Sequence, residues 1–166
     1  MSRQNRAALV ALLSMICGPG LVKPGTAVAD DLEQFALNGT FTVISDGVFA
    51  KTSERRQRQA TVVSTWTITT SCRTAIDCSG QMTSDQGWTA DVTYTDPLWY
   101  VTRTLPDWVK CPDGTAAPGE QTFKFFVDHF DLPNLRGWDN TLGPSGACGV
   151  NKPVNIEMPL KLIPKI

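Results

Sequence analysis

The chain has few of the side chains that catalysis and nucleic-acid binding use. It contains one histidine, His129, and its 15 Lys and Arg residues are matched by 16 Asp and Glu residues. Without a clustered excess of positive charge, binding to nucleic-acid phosphates is not expected. No apolar run reaches the roughly 20 residues that a membrane-spanning helix needs. We therefore expect no nucleic-acid partner and no transmembrane segment in the mature chain.

The first 29 residues have the pattern of an export signal. Arg3 and Arg6 give a positive start, residues 7–17 form a short apolar core, and residues 27–29 (AVA) are a small-x-small cleavage site. Cleavage there removes three basic and no acidic residues, which leaves 12 Lys and Arg against 16 Asp and Glu. Lipid attachment at Cys17 is the alternative, but the bulky Ile16 before it disfavours this. We expect a protein that is secreted or associated with the cell envelope.

Four cysteines follow the signal: Cys72, Cys78, Cys111 and Cys148. An even number in an exported chain favours two disulfides, and four cysteines allow three pairings. A Cys72–Cys78 bond would staple a hairpin, and Cys111–Cys148 would then tie the middle of the chain to its last third. A four-cysteine zinc site is disfavoured, because such sites usually bring their ligands in C-x2-C pairs. We expect disulfides, no metal and no cofactor.

Alternation of apolar and polar residues predicts β-strands from Gly39 onward. The clearest candidates are residues 61–72, 121–128 and 154–162, and shorter ones are residues 39–45, 78–84, 91–95, 98–104 and a stub at Trp108. Pro159 lacks an N–H, so it is expected at an edge or a bulge. After a short lead-in at residues 30–38, residues 39–166 are predicted to form one all-β domain. We expect a single-domain antiparallel β-sandwich or barrel of about 7–9 short strands.

Tryptophans and arginines provide the candidate ligand-binding residues. Trp66 lies on an apolar strand face and is expected in the core, whereas Trp88 and Trp138 stand beside glycines in predicted loops. The one concentrated positive charge consists of Arg55, Arg56 and Arg58. These arginines are suited to an anionic wall polymer or a lipid head group, although a solvated loop is the simpler interpretation.

No group of residues forms a recognisable catalytic site. His129 has two aspartates close in sequence, but Ser145 between its glycines lacks the G-x-S-x-G pattern of a nucleophile elbow. Loop carboxylates are numerous enough to serve a glycoside hydrolase, yet no spacing singles out a pair. We assign no catalytic residues and lean against an enzyme.

Four stretches of the chain resemble a known family. They are residues 66–72 (WTITTSC), 78–88 (CSGQMTSDQGW), 105–115 (LPDWVKCPDGT) and 143–151 (GPSGACGVN). Together they resemble small secreted proteins of mycobacteria and related actinobacteria, most of them uncharacterised. The resemblance covers roughly residues 39–166. It implies export, a single domain and cystines at the four mature cysteines, and it brings no activity with it.

The sequence thus favours a secreted, non-catalytic binding or interaction domain of the cell envelope or extracellular space, without identifying its ligand. Two alternatives remain open. One is an envelope-directed hydrolase that uses loop carboxylates and His129. The other is a barrel that carries an apolar ligand in its interior.

Overall fold

The computed structural model describes residues 32–53 and 55–165, and the regular secondary structure of these residues is almost entirely antiparallel β-strand. The predicted signal peptide, residues 1–29, lies outside the described residues. The strands are β1 (Gly39–Ser45), β2 (Lys51–Thr52), β3 (Arg55–Arg56), β4 (Val62–Thr74), β5 (Asp77–Ser84), β6 (Trp88–Thr95), β7 (Leu98–Lys110), β8 (Ala116–Val127), β9 (Leu135–Leu142) and β10 (Asn155–Pro164). Two short 3-10 turns occupy Gly47–Phe49 and Ala147–Gly149.

Eight of these strands close into a barrel. They are hydrogen-bonded in the order β1-β4-β5-β6-β7-β8-β9-β10, and β10 pairs back with β1. The other two, β2 and β3, form a small exposed hairpin beside β10. The all-β prediction is confirmed. Of the two predicted architectures, sandwich and barrel, the pairing of β1 with β10 shows that the domain is a barrel.

The barrel interior is filled by the inward-facing residues of its strands. Trp66 on β4 is 1% exposed, and Phe125 on β8 is fully buried. The ring of Trp66 meets Phe123 edge-on, with 4.8 Å between the ring centroids. Ile68, Met82 and Leu162 are also among the largest fully buried side chains. Trp66 is therefore a core residue, as the sequence predicts.

Two glycines allow neighbouring strands to approach closely. A Cβ atom at Gly80 on β5 would overlap the backbone of Thr69 on β4. A Cβ atom at Gly137 on β9 would overlap the carbonyl oxygen of Lys124 on β8. Glycines at such positions let a twisted sheet bend sharply enough to close into a small barrel.

We distinguish the two ends of the barrel by their residues. The upper end contains the last residue of β1, Ser45, and the first of β6, Trp88. The lower end contains the first residue of β1 and the last of β10, where Lys165 N donates to Thr40 O over 2.8 Å.

Both disulfides join the pairs that the sequence suggested. Cys72 and Cys78 are bonded across the β4–β5 hairpin at the lower end, with 4.0 Å between their Cα atoms. Cys111 and Cys148 are bonded with 5.1 Å between their Cα atoms. The second bond fastens an arm at the upper end, where the β7–β8 hairpin continues beyond the barrel after a break in register between Leu105 and Val109.

The structure corrects several strand predictions. The stub at Trp108 is part of β7, which runs on to Lys110. Strand β9 was not predicted, and it places Trp138 in a strand rather than in a loop. Trp88 likewise begins β6 instead of lying in a loop. Pro159 is not at a sheet edge: it pairs opposite Trp138, where the other neighbour of β10 changes from β1 to β2.

The lead-in before β1 is tied to the barrel wall. A helical turn from Leu32 is followed by Leu37, whose N–H donates to Thr70 Oγ1 over 2.7 Å. Thr70 N in turn donates to Asn38 Oδ1 over 2.7 Å. Within the described residues, no helix is both long and apolar enough to cross a membrane.

Candidate functional site in an opening of the barrel wall

The upper end of the barrel interior is lined by polar side chains. Inward positions that carry apolar residues lower in the barrel carry hydroxyl, amide and charged groups here. Buried or half-buried members of this polar layer are Ser45, Ser64, Ser84, Arg103, Gln121, Asp139 and Thr141. Buried polar groups need partners, since burial without a hydrogen bond is unfavourable.

A chain of hydrogen bonds connects four residues of this layer. Ser45 Oγ donates to Asp139 Oδ2 over 2.7 Å, and Gln121 Nε2 donates to Asp139 Oδ1 over 2.7 Å. The other end of the Gln121 amide accepts from Arg103 Nε, also over 2.7 Å. The carboxylate, the amide and the guanidinium thereby hold one another in fixed orientations across three strands.

Burial changes the protonation equilibria of the two charged members. Desolvation raises the pKa of Asp139 above its ordinary value, while Ser45, Gln121 and the Arg103 charge act in the opposite direction. Desolvation also lowers the pKa of Arg103, and the nearby Asp139 opposes that change. A guanidinium remains charged in proteins, so Arg103 is a cation held partly out of water.

Arg103 is stacked on an aromatic side chain. Its guanidinium carbon lies 4.0 Å from the ring centroid of Trp88. Trp88 is itself packed against the core, with ring centroids 5.5 Å from Trp66 and 6.0 Å from Phe123. A cation over a tryptophan face is attracted by the ring quadrupole, which fixes the position of Arg103 further.

The barrel wall opens beside this pair. The β6–β7 ladder covers only Val92–Thr95 of β6 against residues 98–101 of β7. Beyond it, residues 88–91 of β6 pair with β5 alone, and residues 102–105 of β7 pair with β8 alone. We call the opening between these two segments the β6–β7 split.

The split opens on the outer surface of the wall and is large enough for a ligand. Its volume is about 740 Å³. Its lining includes the outward-facing Thr89, Asp91 and Thr102 as well as the inward-facing Trp88 and Arg103. A smaller cavity of about 40 Å³ lies beneath it among the polar layer, and Trp88 and Arg103 line both spaces. The two residues therefore stand between the outside and the polar interior.

Arg103 has hydrogen-bonding capacity left for a ligand. A guanidinium carries five N–H donors, and the one on Nε is used by Gln121. In the described part of the chain, no acceptor meets the four N–H groups on its two terminal nitrogens. The arrangement can hold an anionic group by two parallel hydrogen bonds, the geometry in which arginine binds carboxylate or phosphate.

The structure separates the predicted ligand-binding residues into two groups. Trp88 lines the split, whereas Trp138 is 43% exposed on the outer side of β9 and packs on Phe126. The arginines Arg55, Arg56 and Arg58 lie exposed on or after the β2–β3 hairpin. Arg56 and Trp138 are brought together around Pro159: Arg56 shares a shallow pocket with it, and Trp138 is its cross-strand neighbour.

Arg103 was not among the residues predicted from the sequence, although a signal was present. Trp99, Val101 and Arg103 alternate along β7 with more polar residues, so Arg103 occupies an inward position after two buried apolar ones. Asp139 was not predicted as a site residue either, for a different reason. The inward positions of β9 around it are Gly137 and Thr141, so this strand shows no apolar alternation.

At the lower end, His129 lines a pocket of about 520 Å³ together with mainly apolar residues. The lining contains no carboxylate and no serine. Asp128 instead pairs with Arg136, and Asp131 with Lys161 over 2.8 Å. The hydrolase hypothesis gains no support from this arrangement.

The hypothesis of a barrel that carries an apolar ligand is not supported either, because core side chains such as Trp66 and Phe125 occupy the barrel interior.

Comparisons with known proteins identify a solved structure of similar fold. No protein-family model matches the sequence, and no curated protein matches it. The structure is similar to a solved structure described as the monomer form of the M. tuberculosis PknI sensor domain. The TM-score is 0.57, the identity is 13%, and the match covers 78% of this chain and 88% of that chain. At this identity the likeness concerns the fold alone.

Over residues 32–53 and 55–165, no cluster of His, Cys, Asp and Glu is arranged to hold a metal ion.

Proposed function

We propose that this protein is an exported, non-catalytic binding domain of the cell envelope or extracellular space, and that it binds its ligand in the β6–β7 split. The observation that carries the proposal is Arg103, a partly buried cation in an open cleft with four N–H donors that no described residue accepts. Such a group binds anions more strongly than an exposed one, because the surrounding protein screens the charge less than water does.

Three further observations support the location and the role. Both disulfides are of the kind that persists in oxidising compartments outside the cytoplasm. The first 29 residues have the pattern of a cleaved signal peptide. Residues 30–38 would then form the lead-in of the mature protein, and residues 39–166 its β-domain. The M. tuberculosis domain of similar fold is described as a sensor domain, which favours binding over catalysis.

Sedimentation with envelope material tests this proposal. Protein recovered from the culture medium is mixed with washed envelope fragments of the producing organism, and the bound fraction is measured. We expect Arg103→Gln to weaken binding at least about tenfold, the effect of losing charge-assisted hydrogen bonds. The matched control is Arg73→Gln, which removes the same charge from an exposed ion pair with Asp77 at the lower end.

Two outcomes would overturn the proposal. If wild-type protein does not bind the fragments, and native mass spectrometry of the recovered protein detects no bound molecule, the binding role is wrong. If Arg103→Gln binds as wild type does, the split is not the site. The outer surface around Pro159 is then the next candidate, and Trp138→Ala and Arg56→Ala in the same assay test it directly.

A further inference from the structure

The β6–β7 split exposes strand edges as well as a cation. Residues 88–91 and 102–105 each have a cross-strand partner on one side only. In an antiparallel sheet, alternate residues direct both their N–H and C=O groups toward a given neighbour. About half of the residues on each edge therefore direct backbone donors and acceptors toward the split. Within the described chain, no backbone group of a turn or loop is hydrogen-bonded to these residues.

An extended peptide is the ligand that such an opening accommodates. Its backbone would continue the hydrogen-bonded sheet between β6 and β7, which is the mode known as strand addition. Open strand edges are usually blocked by charge, by proline or by a covering segment. Here Pro106 follows the β7 edge and lines the split, but the four edge residues before it contain no proline.

The length and end of the peptide follow from the shape of the split. The opening begins at the Val92–Val101 pair and continues for four residues along β6, or roughly 13 Å at the usual rise of a strand. A chain that enters from the upper end meets the closed ladder at this pair and cannot continue. The split therefore suits the last few residues of a chain rather than an internal segment.

The position of Arg103 decides which chain terminus fits. It stands two residues beyond Val101, near the closed end of the split, and no described residue accepts from four of its N–H donors. An α-carboxylate would pair with these donors bidentately, whereas an α-ammonium would be repelled. Asp91 also lines this part of the split from the outer face, so acidic side chains next to the terminus are disfavoured.

We propose that the β6–β7 split binds the free C-terminal end of an extended peptide, about four residues long, by strand addition, with Arg103 holding the terminal carboxylate. This inference rests on the proposed function and specifies its ligand class. Peptide binding by strand addition requires the edges of both β6 and β7, whereas the binding of a simple anion requires Arg103 alone.

The test compares two pools of N-acetylated pentapeptides randomised at every position, one with a free C-terminal carboxylate and one with a C-terminal amide. Each is titrated into ¹⁵N-labelled protein recovered from the culture medium. The free-acid pool is expected to shift the amide signals of residues 88–91 and 102–105 and to slow their hydrogen exchange. The amidated pool is expected to bind at least about tenfold more weakly. Arg103→Gln should abolish this difference, and Arg73→Gln should preserve it.

The outcomes separate this inference from the proposed function. Equal binding of both pools, or shifts confined to residues outside the split, would overturn the C-terminal peptide. If neither pool binds while envelope fragments are still bound in an Arg103-dependent way, the peptide inference fails and the proposed function stands. Loss of both kinds of binding would overturn both.

Discussion

The hydroxyl of Ser45 donates a 2.7 Å hydrogen bond to Oδ2 of Asp139, across the 94 positions that separate the two residues in sequence. Strand β10 lies between their strands in the sheet, so the bond crosses the barrel interior. Asp139 is 1% exposed, and burial raises its pKa. A carboxyl group whose folded-state pKa is raised takes up protons more readily when the protein is folded. It therefore makes stability depend on pH.

The Asp139→Asn variant should change that dependence. In the wild type, the contribution of Asp139 to the free energy of unfolding falls as the pH rises from about 4, the ordinary pKa of a carboxyl, through its raised pKa. Above the raised value the contribution is constant. Asparagine keeps the two hydrogen bonds, because its amide can donate to Ser45 and accept from Gln121.

Urea unfolding of both proteins at a series of pH values measures this effect. The stability of the Asp139→Asn protein relative to wild type should increase with pH within the window and then level off. Parallel stability curves across that window would contradict the raised pKa. Gln121→Glu, which places a second carboxyl beside Asp139, should steepen the pH dependence.

The two disulfides should differ in their contribution to stability. On the chain-entropy model, the bond with a sequence separation of 6 contributes about 2 kcal/mol and the bond with a separation of 37 about 4 kcal/mol. Replacing Cys111 and Cys148 by Ala is therefore expected to lower the free energy of unfolding more than replacing Cys72 and Cys78. Urea titrations of the two double variants make the comparison. An equal loss in both would show that the barrel, and not loop length, determines their effect.

Gly137→Ala is expected to destabilise the barrel strongly. The added methyl would overlap the Lys124 carbonyl, and backbone on a neighbouring strand cannot move aside as a side chain can. Overpacking of this kind costs about 1–3 kcal/mol or more. Asn140→Ala, on the same strand, is the control and should change stability by less than about 0.5 kcal/mol. A melting temperature for Gly137→Ala equal to that of the control would refute the close approach of β8 and β9.

Two nearby phenylalanines should respond oppositely to truncation. Phe125 is fully buried, so Phe125→Ala should cost about 3–5 kcal/mol, a large part of the stability of a domain. Phe130 is 92% exposed, and Phe130→Ala should leave the unfolding curve within about 0.5 kcal/mol of wild type. Chemical denaturation distinguishes them, and a large loss at Phe130 would mean that this side chain is covered in solution.

The sequence predicts the fold class and the disulfide residues, because alternation and cysteine count are local or compositional properties. Ser45 ends an accurately predicted strand, Gly39–Ser45. Strand β9 escapes prediction because only one of its four inward positions is a large apolar residue, Leu135, and the others, Gly137, Asp139 and Thr141, give no apolar alternation.

The site is less predictable than the fold for a physical reason. The split exists because the β6–β7 ladder ends at the Val92–Val101 pair, and nothing in residues 88–91 or 102–105 marks that end. Arg103 is recognisable only once its partners Gln121 and Asp139, from other strands, are beside it. Trp88 was identified for its glycine neighbour, and the structure places it in the split because it begins β6.

The pairing of β1 with β10 also determines how the domain can be attached to other structures. Because Lys165 N is hydrogen-bonded to Thr40 O at the lower end, the chain enters and leaves the barrel side by side. The split is at the other end, where the hairpin arm is fastened by Cys111 and Cys148. A tether or an affinity tag attached at either end of the barrel chain would thus leave the mouth of the split facing away from the point of attachment. A short linker that joins residues 39 and 165 in a circular permutant would likewise lie at the end of the barrel opposite the split.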